Sequence, residues 1–327
     1  MDINLPLDID ELLATATRLA PYIFSTPLLK NYWLSKLSGK EIYIKWECFQ
    51  NTGSFKLRGA LNKLLLLKTQ GVTQVVAISA GNHGLGVAYA AQLLGIKATV
   101  IVPKTASPTK VQAMSYYGVE VLSRGDNYDE AELWARKYAQ QTGLTFVSPY
   151  NDLAVIAGQA TVALEMCQVQ PLDLILAPTG GGGLLAGVAL ATKLLPTIQT
   201  DIIGVQPANS TAMQAAFQAG EIVAVTEQAT CADGLMGNLE AGTITFPIVK
   251  ALVKEIITVP EPIIEQTIFN FTRYDHVIVE GSGAVAAAAI VAAAHPQIFA
   301  PYNRIGIIVS GRNIDLSRLR NIINKYS

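Results

Sequence analysis

A chain of 327 residues, half of them apolar and only 15% charged, can bury one large or two moderate cores without disulfide staples. Its formal net charge of −1 offers no basic surface for nucleic acid or an anionic membrane, so a small molecule is the expected partner. Cys48, Cys167 and Cys231 lie far apart, with no CxxC and no histidine at zinc-site spacing; free thiols in a reducing, cytoplasmic setting are expected.

The N-terminal Met1-Asp2-Ile3-Asn4 has no basic start followed by an apolar run, so neither a signal nor a transit peptide is expected. Short β-branched runs then alternate with alanine- and leucine-rich stretches: IYIKWEC (42–48), VVAIS (75–79), ATVIVP (98–103), VEVLS (119–123), DLILAP (173–178), IIGVQP (202–207) and IGIIVS (305–310). That alternation predicts an α/β fold of mostly parallel sheets flanked by helices, and this many strands suits two sheets better than one. Turn-prone residues follow most of the runs, at the strand ends where open α/β sheets bind ligands. The most apolar stretch, Gly283 to Ala294, falls short of the ~20 residues of a membrane span and reads as a buried helix.

Four segments carry chemistry. In Gln50-Asn51-Thr52-Gly53-Ser54-Phe55-Lys56-Leu57-Arg58-Gly59-Ala60 a turn runs into a helix. A lysine there is ordinary on a solvated face, but the neighbouring aromatic changes the balance: a lysine beside an apolar plane can lose its charge and attack an aldehyde. Ser79-Ala80-Gly81-Asn82-His83-Gly84 joins a strand to a helix and offers backbone N–H groups and an amide to a carboxylate or phenolate; its plain alternative is a glycine-rich turn with His83 as a satisfied polar residue. Pro178-Thr179-Gly180-Gly181-Gly182-Gly183-Leu184 places consecutive glycines between an apolar strand and an apolar helix, which predicts a phosphate site. No Gly-Lys-Ser/Thr follows, and the next strand ends in Gln206-Pro207 instead of an acid for a ribose, so a compact phosphate monoester remains. Ile307-Ile308-Val309-Ser310-Gly311-Arg312-Asn313 puts a serine hydroxyl at a strand end.

In this order the four segments resemble the fold-type II pyridoxal-phosphate family, in particular the serine/threonine dehydratases and serine racemases, from Tyr22-Ile23-Phe24-Ser25-Thr26-Pro27-Leu28 to Ser310-Gly311-Arg312-Asn313. The resemblance implies two open, twisted, mostly parallel sheets like those of the tryptophan synthase β-subunit. A large cofactor domain would take residues 1–68 and 150–327, and a small mobile domain residues 74–145. Pyridoxal 5'-phosphate would be held as a Schiff base on Lys56 beside Phe55. Asn82 would hold the ring oxygen, Gly180, Gly181, Gly182, Gly183 and Leu184 the phosphate, and Ser310 the pyridine nitrogen, with Glu280 near the ring. Ser79, Ala80, Asn82 and His83 would line the substrate carboxylate site, and Asp233 and Gly234 a further active-site loop. A hydroxyl protonates the pyridine nitrogen poorly, which favours elimination over transamination.

The implied reaction is dehydration and deamination of a small β-hydroxy amino acid, L-threonine or L-serine, to a 2-oxo acid and ammonia, in a homodimer. The racemases carry a serine where this chain has Ala80, and a methyl group donates no proton. Where relatives bind a divalent cation this chain offers only Gln206, Ser210 and Ala212, so no metal is expected. Arg312 stands where a glycine is common; pointing outward it would meet solvent or Asp315, pointing inward it would favour 3-hydroxyaspartate. A serine or aspartate racemase, a β-replacement synthase, and a silent binder of amino acids or pyridoxal phosphate are the other readings. His83 stands against β-replacement, because those relatives usually carry threonine there.

Overall fold

The computed structural model describes residues 5–195, 199–292 and 296–327. In chain order its strands are β1 (Leu28–Lys30), β2 (Glu41–Lys45), β3 (Gln74–Ile78), β4 (Lys97–Val102), β5 (Glu120–Ser123), β6 (Thr145–Val147), β7 (Leu174–Pro178), β8 (Asp201–Pro207), β9 (Glu255–Val259) and β10 (Arg304–Ile308). They form two sheets, as the alternation predicts: a six-stranded one ordered β1-β2-β10-β7-β8-β9 and a four-stranded one ordered β5-β4-β3-β6. The pair β1 and β2 is antiparallel, and every other pairing among the described residues is parallel.

Strand β7 shows why these runs are apolar throughout. All of Leu174–Pro178 is buried. Ile175 and Ala177 join a core with helices Leu153–Val169 and Gly183–Leu194, while Leu174 and Leu176 join a second core with helix Gly281–Val291. A parallel strand covered on both faces has no polar side to show. That last helix is the apolar stretch singled out above; Ala293 and Ala294 lie outside the described residues. No described helix is long and apolar enough to cross a membrane.

The run at 42–48 ends sooner than its composition suggests. The strand stops at Lys45 and Glu47–Phe49 form a 3-10 turn, because Glu47 is fully buried and turned to an arginine on the next helix. Likewise β10 ends at Ile308, which leaves Ser310 in the following loop. The strands β1, β6 and β9 were not anticipated, the first two being only 3 residues long.

Glycines bring three helices into close contact behind the strand ends. A Cβ on Gly158 would lie 2.6 Å from Arg58 O and from Gly59 Cα, and one on Gly187 would lie 2.8 Å from Ile156 O. Helix Leu153–Val169 is thereby pressed between helix Lys56–Thr69 and the helix that starts at Gly183, so both rest on one rigid layer.

Candidate active site

Because β2, β10 and β7 are adjacent and parallel, the segments that follow them emerge side by side. In the four-stranded sheet, the neighbours β3 and β6 deliver residues 79–83 and 148–151 in the same way. The two sets of loops meet around Lys56, the first residue of its helix. Ser54 bridges to Gly311, and the Phe55 N–H donates to Ser310 O at 3.0 Å, which ties the lysine turn to the segment after β10. Lys56 Nζ lies 5.3 Å from the centroid of the Phe55 ring and donates to Pro149 O at 2.9 Å. Burial lowers this amine to about 8, because little solvent is left to stabilise its charge. An amine so placed is a competent nucleophile near neutral pH.

The glycine loop is a cradle that side chains would fill. A Cβ on Gly181 or Gly183 would lie 2.6 or 2.9 Å from Tyr150, and one on Gly180 3.0 Å from Leu235 Cα. Gly182 has φ +86°, the left-handed region, and a Cβ there would lie 2.6 Å from Met213 Cε. The loop turns directly into helix Gly183–Leu194, whose first N–H groups have no partner within the helix. Leu184 is buried beneath it.

In the 79–83 turn, the Ser79 hydroxyl accepts the Gly81 N–H at 3.0 Å, and Ala80 lies beside it, half-buried. Asn82 Nδ2 donates to Glu280 Oε1 at 2.5 Å, and its Oδ1 accepts from Asn313 Nδ2 at 2.7 Å. Burial, then the charge of Asp233, raises the Glu280 carboxyl to about 7. His83 is buried with Nε2 3.0 Å from Val147 O, so Nε2 carries the proton and Nδ1 is left without a partner among the described residues. Burial, then the charge of Lys56, lowers this imidazole to about 3, so it stays neutral. Asp233 is exposed and pairs with Lys110 at 2.9 Å, while the Gly234 N–H donates to Ser282 Oγ at 3.0 Å. Ser310 Oγ donates to Ser282 O at 3.1 Å.

A family profile described as "Pyridoxal-phosphate dependent enzyme" matches residues 19–311, a span that includes Lys56, the glycine loop and Ser310. The chain belongs to the pyridoxal-phosphate dependent enzyme family. It is 39% identical over 325 residues to the catabolic L-threonine dehydratase of Escherichia coli (strain K12), covering 98% of this chain and 97% of that one. Among solved structures it superposes on maize serine racemase with TM-score 0.90, 34% identity and 98% coverage of both chains. On a threonine deaminase from T.th. it does so with TM-score 0.86 and 38% identity, over 95% of this chain and 99% of that one.

The residues present fit the cofactor that the pyridoxal-phosphate dependent family is named for. The amine needed to capture an aldehyde is lowered by burial, and a side-chain-free cradle lies at a helix start. The hydroxyls of Thr52 and Ser54, just before Lys56, are buried without a partner among the described residues.

Several residues at this site escaped the sequence reading. Pro149, Tyr150 and Asn151 follow the short β6, whose few residues gave no periodicity to mark a strand end. Thr245 Oγ1 donates to Gly181 O at 2.7 Å from a segment far along the chain. Behind Lys56, the buried Arg58 pairs with the buried Glu47 and with the half-buried Glu165, a cluster that only the fold assembles. Arg312 is exposed, with its guanidinium 5.9 Å from the Phe49 ring centroid; it lines a surface cavity with Thr52, Gly53 and Asn313 and makes no ion pair with Asp315 among the described residues. Gln206 Oε1 accepts the Gln214 N–H at 2.8 Å and Ser210 Oγ donates to Glu227 Oε1 at 2.7 Å.

Proposed function

We propose that this enzyme dehydrates and deaminates a small β-hydroxy amino acid, L-threonine or L-serine, releasing a 2-oxo acid and ammonia. The observation that carries the reading is the Lys56 amine, lowered to about 8 and set beside a glycine cradle, in a chain 39% identical to an L-threonine dehydratase. Pyridoxal 5'-phosphate would be held on Lys56 beside Phe55, with its phosphate on Gly180–Gly183 and Leu184. When bound, it supplies the electron sink that lets the α-proton leave.

The protein's own groups do the rest. Main-chain N–H groups of Ala80, Asn82 and His83, with the Ser79 hydroxyl beside them, would hold the substrate carboxylate at the start of helix Asn82–Leu94; the Ser79 N–H itself is spent on Ile101 O. The free N–H of the Asn82 amide would bind the ring oxygen. Glu280, raised to about 7, holds a proton beside that amide near neutral pH. Asp233 and Gly234 would close the hydroxyl side. The hydroxyl of Ser310 can turn from Ser282 O toward the pyridine nitrogen. The Lys56 amine, lowered to about 8 and so partly unprotonated near neutral pH, would take the α-proton and return it to the departing hydroxyl, so that water leaves. Water is taken up again when the released enamine hydrolyses to oxo acid and ammonia. Ala80 offers no proton to the opposite face, which weighs against racemisation.

The same reading makes residues 1–68 and 150–327 the cofactor domain and 74–145 a small domain that moves as the site closes, in keeping with β3–β6 forming their own sheet. It makes the protein a cytoplasmic homodimer that needs no metal. Oxo-acid release from L-threonine and L-serine, measured with D-enantiomers and 3-hydroxyaspartate alongside, tests the reaction. Racemised amino acid without oxo acid would defeat it.

A further inference from the structure

The tripeptide Pro149-Tyr150-Asn151 joins Lys56, the glycine loop and the segment that begins at Glu240. Pro149 O receives Lys56 Nζ at 2.9 Å. The Tyr150 ring fills the space in which a Cβ of Gly181 would stand, 2.6 Å away, and its Cβ lies 2.9 Å from where one of Gly183 would stand. The Tyr150 hydroxyl accepts the Glu240 N–H at 3.1 Å. Asn151 grips the same segment twice, donating to Glu240 Oε2 at 2.8 Å and accepting the Ile244 N–H at 3.0 Å. One residue further, Thr245 holds Gly181 O from the other side at 2.7 Å, so residues 240–245 wrap the glycine loop.

Glu240 also reaches the other sheet. Arg136, on helix Tyr128–Thr142, places Nη2 2.7 Å from Glu240 Oε1. Its aligned hydrogen bonds go to Glu132, at 2.8 and 2.6 Å, so the Glu240 contact is an ion pair without a directed N–H, and that oxygen accepts no hydrogen bond. The guanidinium also lies 4.6 Å from the centroid of Phe146 on β6, which fixes it to the four-stranded sheet. A single carboxylate is thus held by a cation of one sheet while its own backbone N–H holds the tyrosine that shapes the phosphate cradle of the other.

We propose that Tyr150 and Glu240 are positioning residues that couple the seat of the four-stranded sheet to the glycine loop. Arg136 carries the position of that sheet to Glu240, Glu240 fixes the tilt of Tyr150, and the Tyr150 ring sets the width of the cradle and, through Pro149, the reach of Lys56. Coupling of this kind is reciprocal: whatever tightens the loop on a phosphate also favours the docked sheet. The inference rests on the cofactor reading above, and it makes Arg136, which contacts neither the loop nor Lys56 in the described structure, a determinant of cofactor affinity.

The test compares wild type, Tyr150→Phe, Arg136→Met and the double variant as holoenzymes, measuring the dissociation constant of pyridoxal phosphate by dialysis and fluorescence titration, with melting temperatures in parallel. Loss of one hydrogen bond or ion pair of this kind weakens affinity about 5-fold to 10-fold. Each single variant should lose affinity on that scale, and the double variant no more than the weaker single one, because both break the same chain. Glu240→Gln keeps the backbone N–H but removes the charge facing Arg136 and should match Arg136→Met even if another variant folds poorly. Affinity losses that multiply in the double variant overturn the coupling. So does an Arg136→Met protein with a lower melting temperature and wild-type affinity. A wild type that binds no pyridoxal phosphate defeats the cofactor reading itself, a distinguishable result.

Discussion

Arg58 stands two residues after Lys56, and its replacement by methionine has a calculable cost. The guanidinium is fully buried; Nε and Nη2 lie 2.8 Å from the two oxygens of Glu47, and Nη1 and Nη2 lie 2.6 and 2.8 Å from those of Glu165. Burial alone pushes the Glu47 carboxyl up, but the charge and hydrogen bonds of Arg58, with the charge of Lys45, hold it below its ordinary value. Methionine restores much of the volume and leaves Glu47 with Lys45 at 3.9 Å and the Thr26 hydroxyl. Removing one partner of a buried pair costs about 3–5 kcal/mol, and the remaining Lys45 places this case near about 3 kcal/mol. Urea unfolding at pH 7 and pH 5 measures it. In wild type the lowered carboxyl contributes stability above its unfolded pKa that is lost as pH falls. In the variant the uncompensated carboxyl is raised, so its contribution is lost as pH rises, and the deficit relative to wild type should be smaller at pH 5 than at pH 7. A deficit under about 1 kcal/mol at pH 7, or one indifferent to pH, would refute the reasoning.

Three further outcomes follow from the site. Gly182→Ala places a Cβ 2.6 Å from Met213 Cε at φ +86°; left-handed strain of about 1–3 kcal/mol should lower pyridoxal-phosphate affinity at least about 5-fold, and unchanged affinity on titration contradicts the cradle. Glu280, raised to about 7 from 4.5, contributes stability fully present below its unfolded pKa and lost as pH rises through about 7. Glu280→Gln should therefore gain on wild type across that window, by up to about 3 kcal/mol, then level off; chemical denaturation showing a flat difference opposes this. With Lys56 near 8, the rate of pyridoxal-phosphate uptake by apoprotein should rise about tenfold from pH 6 to 7 and flatten above about 8, and stopped-flow rates still climbing toward pH 10 would assign the amine an ordinary pKa.

The legible parts of this protein were those fixed by local backbone chemistry. Consecutive glycines after an apolar strand, a lysine after Phe55 and a turn after Ile78 mark strand ends whatever else the chain does, and β7 and β8 lie within a residue of their predicted runs. Element ends that depend on tertiary partners were not legible. The strand at 42–48 breaks early because Glu47 turns to Arg58, a charge pair joined only when the helix docks. Asn82 and Glu280, 198 residues apart, are both assigned to the ring by the family resemblance, but their direct contact arises only as β3 and the segment before helix Gly281–Val291 converge. Tyr150 gave no local signal, since an aromatic in a turn is unremarkable until the glycine loop packs beneath it.

The most direct test of the central claim is the absorbance spectrum of purified protein before and after borohydride reduction, with Lys56→Ala as control and peptide mapping to locate the label. The account predicts a yellow wild type that reduction labels on Lys56, a variant that carries no such label, and oxo acid from L-threonine or L-serine with wild type alone. A label on another lysine, or a wild type that takes up no pyridoxal phosphate, would contradict it.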